Sequence, residues 1–278
     1  LQGDFAMFLG GKGFNQAVAA RRLGAQVAVI GRVGGDEFGR AFLDALDTEG
    51  IDRAGVAVTD GVGTGVASIV GDDRGENAII QAPRANRALT GDDVRTAARA
   101  LEGAAAGLFQ FETSQDACET FHRLCRAAGC LTVLNPAPHS AIPAGGIPEV
   151  DLLIPNAIEA QALAHATPGT PLRELARMLR QRGADHVAVT LGGDGAVAAA
   201  PIHTVDVPAF AVPVVDTVGA GDAFCAALAV QMAEGAEFAE AVRFACAAGA
   251  LACTRPGAAA SMPHRQDVEA LIAKGASG

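Results

Sequence analysis

Short apolar runs and helical repeats alternate along most of this chain. Apolar runs typical of buried strands occur at 26–31, 107–111, 131–134, 151–154 and 186–190. Segments whose apolar residues lie three and four positions apart, as in helices, occur at 14–23, 36–47, 91–101, 114–128, 156–165 and 171–182. This alternation predicts an α/β fold with a mainly parallel central sheet that is covered by helices on both faces.

Two other regions have a different pattern. Apolar and small residues from Phe238 to Ala252 keep one face at a spacing of three or four, which predicts a helix packed on the core. Residues 53–82 show strand after strand separated by glycines, which predicts a small β-sheet. The glycines in this region resemble the spacing of a dinucleotide-binding turn, but no helical pattern follows them, so we do not interpret them as one.

Composition narrows the class of protein. Half of the 278 residues are apolar, enough for a substantial core. The formal net charge of −10, spread over scattered acidic residues, argues against nucleic acid or an anionic membrane as a partner. The six cysteines form no C-x-x-C pair and several lie in alanine-rich stretches, a pattern typical of free thiols in a reducing cytoplasm.

The segment Asp216 to Phe224 (DTVGAGDAF) carries the clearest chemistry. Its glycines allow a sharp turn at the start of an alanine-rich helix, Ala220 to Ala233, where backbone amides and the helix dipole favour a phosphate. A carboxylate, Asp222, lies within this turn. It is either a base for an attacking hydroxyl or a cap of the helix, and the segment alone does not decide between them.

Two more segments place polar groups at helix starts. Gly10 to Asn15 (GGKGFN) opens a helix with Lys12 and Asn15, which could hold a polyhydroxylated ligand, although a glycine turn with a solvated lysine is the alternative. Asn156 to Glu159 follows an apolar run and could organise water and a metal near phosphates, or could simply be a capping box. The chain contains no G-x-x-x-x-G-K-[ST] phosphate-binding loop.

These segments, in this order, resemble the ribokinase branch of the PfkB-type carbohydrate kinases. The resemblance covers essentially the whole chain. The matching motifs are GGKGFNQAVAARRLG at 10–24, RVGGD at 32–36 with Gly39, LFQFE at 108–112, NPAP at 135–138, NAIE at 156–159, TLGGDG at 190–195, DTVGAGDAF at 216–224, and TRPG at 254–257 with Ser261.

The resemblance implies a ribokinase-like three-layer α/β/α fold with a mainly parallel central sheet and a small β-sheet lid. We expect the kinase core at 11–52 and 83–278, and the lid at 1–10 and 53–82. The implied activity is transfer of a phosphoryl group from ATP to the primary (5-) hydroxyl of D-ribose, with Mg²⁺ and K⁺ as further cofactors. The resemblance also implies a cytoplasmic homodimer that associates through the lid.

The same resemblance assigns roles to residues. Asp222 takes the proton of the attacking hydroxyl, while amides of Gly219, Ala220 and Gly221 hold the phosphoryl group. The sugar contacts are Gly11, Lys12, Gly13, Asn15, Glu112 and Asp222. The ATP contacts are Asn156, Thr190, Leu191, Gly192, Gly193, Asp194, Gly195, Gly221 and Cys246. Glu159 organises Mg²⁺ through water, and a monovalent cation lies among Asp216, Val218, Ala252, Arg255, Gly257 and Ser261.

The sequence departs from the family pattern in a few places. Arg84 stands where glycine is usual, Ala157 replaces an acidic residue, and Cys246 stands where His or Asn is frequent. The GGKG motif also comes as early as residue 10, without the strand and sugar-binding Asp that precede it in ribokinases. We therefore expect the 278-residue chain alone to bind ATP but to phosphorylate ribose poorly. The open alternatives are another sugar or nucleoside kinase of this family and a catalytically impaired sugar- or nucleotide-binding paralogue.

Overall fold

A computed structural model of the protein describes residues 6–71, 77–143 and 146–275. In chain order its helices are α1 (Lys12–Arg22), α2 (Glu37–Glu49), α3 (Gly91–Thr96), α4 (Gln115–Ala128), α5 (Ala157–Leu163), α6 (Leu172–Gln181), α7 (Ala220–Ala233), α8 (Phe238–Ala252) and α9 (Arg265–Gly275). Its strands are β1 (Ala28–Gly34), β2 (Asp52–Thr59), β3 (Val66–Gly71), β4 (Asn77–Ala82), β5 (Ala106–Phe109), β6 (Leu131–Leu134), β7 (Val150–Leu153), β8 (Ala184–Thr190), β9 (Ala196–Ala199) and β10 (Thr204–Val207).

Local capping chemistry explains where several helices begin and end. Asp36 caps α2 by accepting a hydrogen bond from the Gly39 amide, and Ser114 caps α4. Both helices end at a glycine in the left-handed conformation, Gly50 and Gly129, which is the common way to close a helix. Because these signals are local, the predicted helices at 36–47 and 114–128 are confirmed to within two residues at each end.

The central sheet has six strands in the order β10-β9-β8-β7-β6-β5. Strands β5 to β8 run parallel to one another, whereas β9 pairs antiparallel with both β8 and β10. The prediction of a mainly parallel sheet is thus confirmed for β5 to β8, whereas the predicted strand at 26–31 is β1, which lies outside this sheet and pairs with β2. The antiparallel β9 and β10 were not predicted, because β9 reads Ala-Val-Ala-Ala and alanine is depleted in strands.

The two faces of the sheet are covered by different helices. Val133, Leu152 and Ala188 point to a cluster with the apolar residues of α7 and α8. Their chain neighbours Leu134 and Leu153 point to a second cluster with α4, α5 and α6. Since successive strand residues face opposite sides, this division confirms the three-layer α/β/α arrangement.

The strands of the predicted lid belong to two small sheets, one of which also includes β1 from the predicted core. Strands β3 and β4 form an antiparallel pair, and β2 pairs in parallel with β1 rather than with the central sheet. Residues 6–10, which we expected to belong to the lid, form no strand, while residues 1–5 lie outside the described residues. Instead, the Phe8 ring packs on Gly257, where an added Cβ would lie 2.6 Å from a ring carbon.

The remaining departures from the predicted elements are small. The predicted helix at 91–101 is divided into α3 and a 3-10 turn, Ala98–Leu101. Arg84, at the exit from the lid, has a φ of 40°, so it adopts the left-handed conformation that glycine would favour. No helix in the described part of the chain combines the length and apolarity needed to cross a membrane.

Candidate active site

Two helix N-termini meet beside the C-terminal end of β5. Helix α1 packs on α7, and Asn15 and Gln16 in the first turn of α1 reach Asp222 in the first turn of α7. Both helices begin after a glycine with positive φ, Gly11 at 106° and Gly219 at 82°. The DTVGAGD and GGKG motifs, more than 200 positions apart, therefore form one site.

The turn before α7 leaves an open space next to its first amides. A side chain at Gly219 would collide with the Met262 methyl group, only 2.7 Å away, whereas a Cβ at Gly221 would meet nothing within 4 Å. Among the described residues, the Gly219 and Gly221 amides donate to no backbone carbonyl, while the Ala220 amide donates to the Thr217 carbonyl at 3.3 Å. Free amides at a helix N-terminus, next to an exposed glycine, suit a phosphate group.

Asp222 lies at the edge of this space and is only 7% exposed. Its Oδ2 accepts a hydrogen bond from Asn15 Nδ2 at 2.7 Å, and its Oδ1 accepts one from Gln16 Nε2 at 3.0 Å. Each carboxylate oxygen has two acceptor directions, so one on each oxygen is left for another donor. Among the described residues, no backbone amide at the start of α7 donates to Asp222, whose oxygens accept from Asn15 and Gln16 instead, so the alternative that it merely caps α7 is not supported.

Lys12 and Glu112 stand beside Asp222. The Lys12 amide donates to Glu112 Oε2 at 3.0 Å, so a carboxylate occupies the positive end of α1. Burial alone lowers the pKa of Lys12, but the nearby acidic groups, Asp222 first and then Glu112, together outweigh burial, and its pKa lies above the ordinary value. Burial raises the pKa of Glu112 despite the Lys12 amide and charge. Lys12 therefore stays protonated between two acidic groups.

One buried polar atom in this cluster has no hydrogen-bond partner. Asn15 is 4% exposed, and its Oδ1 is the buried unpaired atom of the described residues while its Nδ2 is held by Asp222. An unpaired buried acceptor costs about 1–3 kcal/mol unless a donor reaches it. A ligand hydroxyl would satisfy it.

Sequence reasoning missed three carboxamides around Asp222. Gln16 donates to Asp222 and, at 3.4 Å, to Asn135 Oδ1, and it accepts from Gln110 Nε2. Gln110 and Asn135 lie in the family motifs but were given no role, and Gln16 was given none. The signal that could have revealed Gln16 is a second consecutive carboxamide in an otherwise alanine-rich helix turn.

The predicted nucleotide segment forms a glycine loop after β8. The Leu191 amide donates to the Gly195 carbonyl at 2.8 Å, and this closes the loop. Gly192 and Gly193 are exposed, with open space around them, whereas a Cβ at Gly195 would lie 2.0 Å from the Val207 carbonyl oxygen. The loop thus presents bare backbone on its outer side, next to Asn156, which bridges Thr190.

Asn156 and Glu159 form the capping box that was the alternative interpretation. The Asn156 amide donates to Glu159 Oε2 at 2.9 Å, and the Glu159 amide donates to Asn156 Oδ1 at 2.8 Å. Glu159 is nonetheless 5% exposed and close enough to Lys12 to influence its pKa. No cluster of three or more potential metal ligands occurs among the described residues, so a Mg²⁺ ion here would need phosphate and water ligands.

Cys246, one of the predicted ATP contacts, belongs to the core. It is 7% exposed and lies within the apolar cluster of α7 and α8. Burial raises the pKa of its thiol to about 12. The side chain is therefore a neutral apolar wall rather than the polar group that His or Asn would supply.

The predicted monovalent-cation residues form a double loop beside the start of α7. Asp216 Oδ1 accepts from the Val218 amide and Oδ2 from the Gly257 amide, both at 3.0 Å. Ser261 is buried, and its hydroxyl donates to the Ala258 carbonyl at 2.8 Å. Ala252 is buried and Arg255 is exposed, so the structure brings most of these residues together without placing the Arg255 side chain inside.

The chain is similar to known carbohydrate kinases. A family model described as pfkB family carbohydrate kinase matches residues 1–265. Ribokinase of Bacillus subtilis is 35% identical over 269 residues, which cover 97% of this chain and 89% of that protein. Deoxyribokinase of Salmonella typhimurium is 31% identical over 262 residues, covering 93% of this chain and 86% of that protein.

A solved structure shows the same fold. Arabidopsis thaliana ribokinase complexed with ribose and ATP superposes with a TM-score of 0.84 at 29% identity, covering 95% of this chain and 87% of that one. The match of the family model over almost the whole chain, together with relatives above 30% identity, shows the family. This chain belongs to the pfkB family of carbohydrate kinases.

Proposed function

We propose that the protein transfers the γ-phosphoryl group of ATP to the primary (5-) hydroxyl of D-ribose. The observation that carries the proposal is Asp222, held by Asn15 and Gln16 at the edge of an open helix N-terminus. The ribokinase relatives, which match this chain over nearly its whole length, support ribose as the acceptor.

In the proposed reaction Asp222 is the general base. It takes the proton of the sugar hydroxyl while that oxygen bonds to the γ-phosphorus and the bond to the ADP oxygen breaks. The amides of Gly219 and Gly221, together with that of Ala220 once it leaves the Thr217 carbonyl, hold the transferring group at the N-terminus of α7.

The sugar would lie between α1 and the end of β5. Asn15 Oδ1 would accept a hydrogen bond from a sugar hydroxyl, which satisfies the unpaired buried atom. Lys12 would donate to a sugar oxygen and Glu112 would accept from a hydroxyl, and the absence of side chains at Gly11 and Gly13 leaves room for the ring. Asp222 would complete this set at the reactive hydroxyl.

The nucleotide would extend along the glycine loop after β8. Thr190, Asn156 and the exposed backbone of the loop would hold ATP, with Cys246 as an apolar wall. The contributing loop residues are Leu191, Gly192, Gly193, Asp194 and Gly195, and Gly221 would contact the phosphates. Mg²⁺ bound to the phosphates would be organised by Glu159 through water, as is usual for this ion.

A K⁺ ion beside the α7 turn would complete the site. Asp216, Val218, Ala252, Arg255, Gly257 and Ser261 are the proposed residues of this site, largely through backbone carbonyls. The ion would not contact substrate; it would order the turn that carries the phosphate-binding amides. We also propose a cytoplasmic location and a homodimer that associates through the lid, where Val58 and Ile80 expose apolar side chains.

The specific alternative is another pentose, because a deoxyribokinase matches this chain nearly as well as the ribokinases do. The test is ADP release by the purified full-length protein with D-ribose, 2-deoxyribose, a hexose and a nucleoside as acceptors. The proposal expects the highest kcat/KM for ribose. A higher value for 2-deoxyribose would reassign the substrate, and ATP binding without any acceptor-dependent ADP release would identify a binding protein.

A further inference from the structure

Gln16 is among the most deeply buried polar side chains described in this protein. It is 2% exposed and lies on α1 just before three core residues, Ala17, Val18 and Ala19. Its three polar partners come from three separate parts of the chain: Gln110 after β5, Asn135 after β6 and Asp222 on α7. Burying a carboxamide is costly unless its polar atoms are paired, and both N–H groups and the oxygen of Gln16 are paired here.

The orientation of the Gln16 carboxamide follows from its neighbours. Asn135 Nδ2 donates to the Ile154 carbonyl at 2.9 Å, which leaves Asn135 Oδ1 to face Gln16. Gln110 Nε2 donates to Gln16 Oε1 from the other side. Consequently the amino group of Gln16 must point to Asp222 and Asn135, and its oxygen must point away from the carboxylate.

We propose that Gln16 is a positioning residue for Asp222 and that Gln110 sets its orientation. The inference rests on the proposed role of Asp222 as the base. A carboxylate at a helix start can turn about its Cβ–Cγ bond, and a single donor from Asn15 would leave that rotation open. The second donor, on the other oxygen, fixes the plane of the carboxylate and so the direction of its remaining acceptor sites.

Gln110 connects the hydrogen bonds of Gln16 to the proposed sugar side of the site. Gln110 lies two residues before Glu112 in the chain. Its Oε1 is 3.5 Å from the position that a Cβ on Gly13 would take. The same carboxamide thus faces the proposed sugar space with its oxygen and Gln16 with its amino group. Through it, the wall of the sugar pocket and the orientation of Asp222 belong to one hydrogen-bonded network.

The first experiment replaces Gln16 by methionine, which has a similar shape and no donor. Because a misplaced reacting group can cost about 10²-fold, we expect kcat to fall about 100-fold while the KM values for ribose and ATP change by less than about two-fold. The matched control is Gln115→Met, since Gln115 is an exposed glutamine that donates to Glu119 on its own helix. Turnover of Gln16→Met within two-fold of the control would overturn the proposal.

A double-mutant cycle separates positioning from a general structural role. In an Asp222→Asn background, Gln16→Met should lower the residual rate no further, because the group on which Gln16 acts is gone. An equal fold-loss in both backgrounds would show that Gln16 acts independently of Asp222 and would refute the inference. Near-normal turnover of Asp222→Asn alone would instead refute the proposed base, so the two failures are distinguishable.

The half-buried Gln110 provides a second test that does not depend on the stability of Gln16→Met. In Gln110→Glu the new carboxylate can only accept a hydrogen bond from Gln16, whereas the Gln110 amino group donated one to it. The Gln16 carboxamide should therefore turn over, so that the oxygen of Gln16 faces Asp222. Gln110→Met removes the partner without reversing it. We expect kcat of Gln110→Glu to be about ten-fold below that of Gln110→Met, with the difference absent in the Asp222→Asn background. Equal rates of the two variants would contradict the orienting role.

Discussion

Asp216 and Asp222 lie six positions apart on either side of the same glycine turn, yet they are held in opposite ways. Asp216 is half-buried, and its donors among the described residues are the backbone amides of Val218 and Gly257. Asp222 is buried, and its donors in the same part of the chain are the side-chain carboxamides of Asn15 and Gln16. The backbone amides that bind Asp216 connect the loop before α7 to the loop at Gly257. The side chains of α1 that bind Asp222 instead orient its carboxylate and leave one acceptor site free on each oxygen.

The comparison predicts that removal of the Asp222 charge has the largest effect on rate. Asp222→Asn should lower kcat by about 10²–10⁴-fold, the usual loss for a general base, while ATP binding persists. Asn15 has a free Oδ1 and can turn its amide to accept from the new asparagine, so the fold should survive. Asp206→Asn, at an exposed ion pair with Arg173, is the control, and steady-state ADP release is the measurement. A variant that keeps more than half of the control rate removes Asp222 from the mechanism.

We expect the second largest effect on catalysis at Asn15, which donates to Asp222 through Nδ2 and has an unpaired Oδ1. Asn15→Leu removes a donor to Asp222 and the proposed acceptor for a sugar hydroxyl, so KM for ribose should rise about 10–100-fold and kcat should also fall. The KM for ATP should not change, because the nucleotide segment is built from other elements. Equilibrium binding of ribose by calorimetry checks the affinity. An unchanged ribose affinity would exclude Asn15 from the sugar site.

A smaller effect on rate is expected for Asp216, because it orders a loop rather than taking a proton. Asp216→Ala frees the Val218 and Gly257 amides and should lower kcat about ten-fold, near the lower end of the about 1.5–3 kcal/mol that a hydrogen bond to a charged group contributes. Wild-type activity should be higher in K⁺ than in Na⁺ at fixed ionic strength, and the variant should lose this difference. Identical wild-type rates in the two salts would argue against the cation site.

A third aspartate extends the comparison to stability and gives the smallest expected effect. Asp36 accepts from the hydroxyl and amide of Thr64 and from the Gly39 amide, and these bonds, the Thr64 hydroxyl first, lower its pKa to about 2. Because this pKa is lower in the folded state than the ordinary 3.8, the stabilisation is present above about pH 4 and is lost as pH falls towards 2.

The prediction for Asp36→Asn follows from the lowered pKa of Asp36 in the folded state. The Tm of the variant should lie below the wild-type Tm at neutral pH, and the two should converge between pH 4 and pH 2. Thermal unfolding followed by circular dichroism across this range is the measurement, with the exposed Asp185→Asn as the control. A Tm difference that stays constant down to pH 2 would mean that Asp36 stabilises the fold in some other way.

The sequence allowed good prediction wherever a feature depends on nearby residues. The start and end of α7 were predicted to the residue, because glycine at the turn and a run of small apolar residues are local signals. The GGKG and DTVGAGD segments were predicted to form one site through the family resemblance, and their contact is seen in the bonds from Asn15 and Gln16 to Asp222.

Features that depend on distant partners could not be predicted. The pairing of β1 with β2 instead of the central sheet is a choice between edges far apart in the chain. The role of Gln16 is another such case, because its partners come from three separate parts of the chain and cannot be predicted from the sequence of α1 alone. The capping box of Asn156 and Glu159 was predicted only as an alternative, since capping and metal chemistry use the same residue pair.

The alanine content of β9 and α8 has a consequence for reading natural variation in this protein. Ala196 and Ala198 on β9 pack in the same cluster as Ala245 and Ala248 on α8, and α8 in turn packs on α7. There a Cβ on Gly249 would lie 3.2 Å from the Ala220 carbonyl oxygen, at the start of α7.

An alanine-to-valine change among these packed alanines would cost about 1–3 kcal/mol in overpacking. It would also displace the helix that supports the phosphate-binding turn. Such a change, conservative by its chemistry and remote from any substrate, should therefore be counted with active-site substitutions when variants of this protein are interpreted.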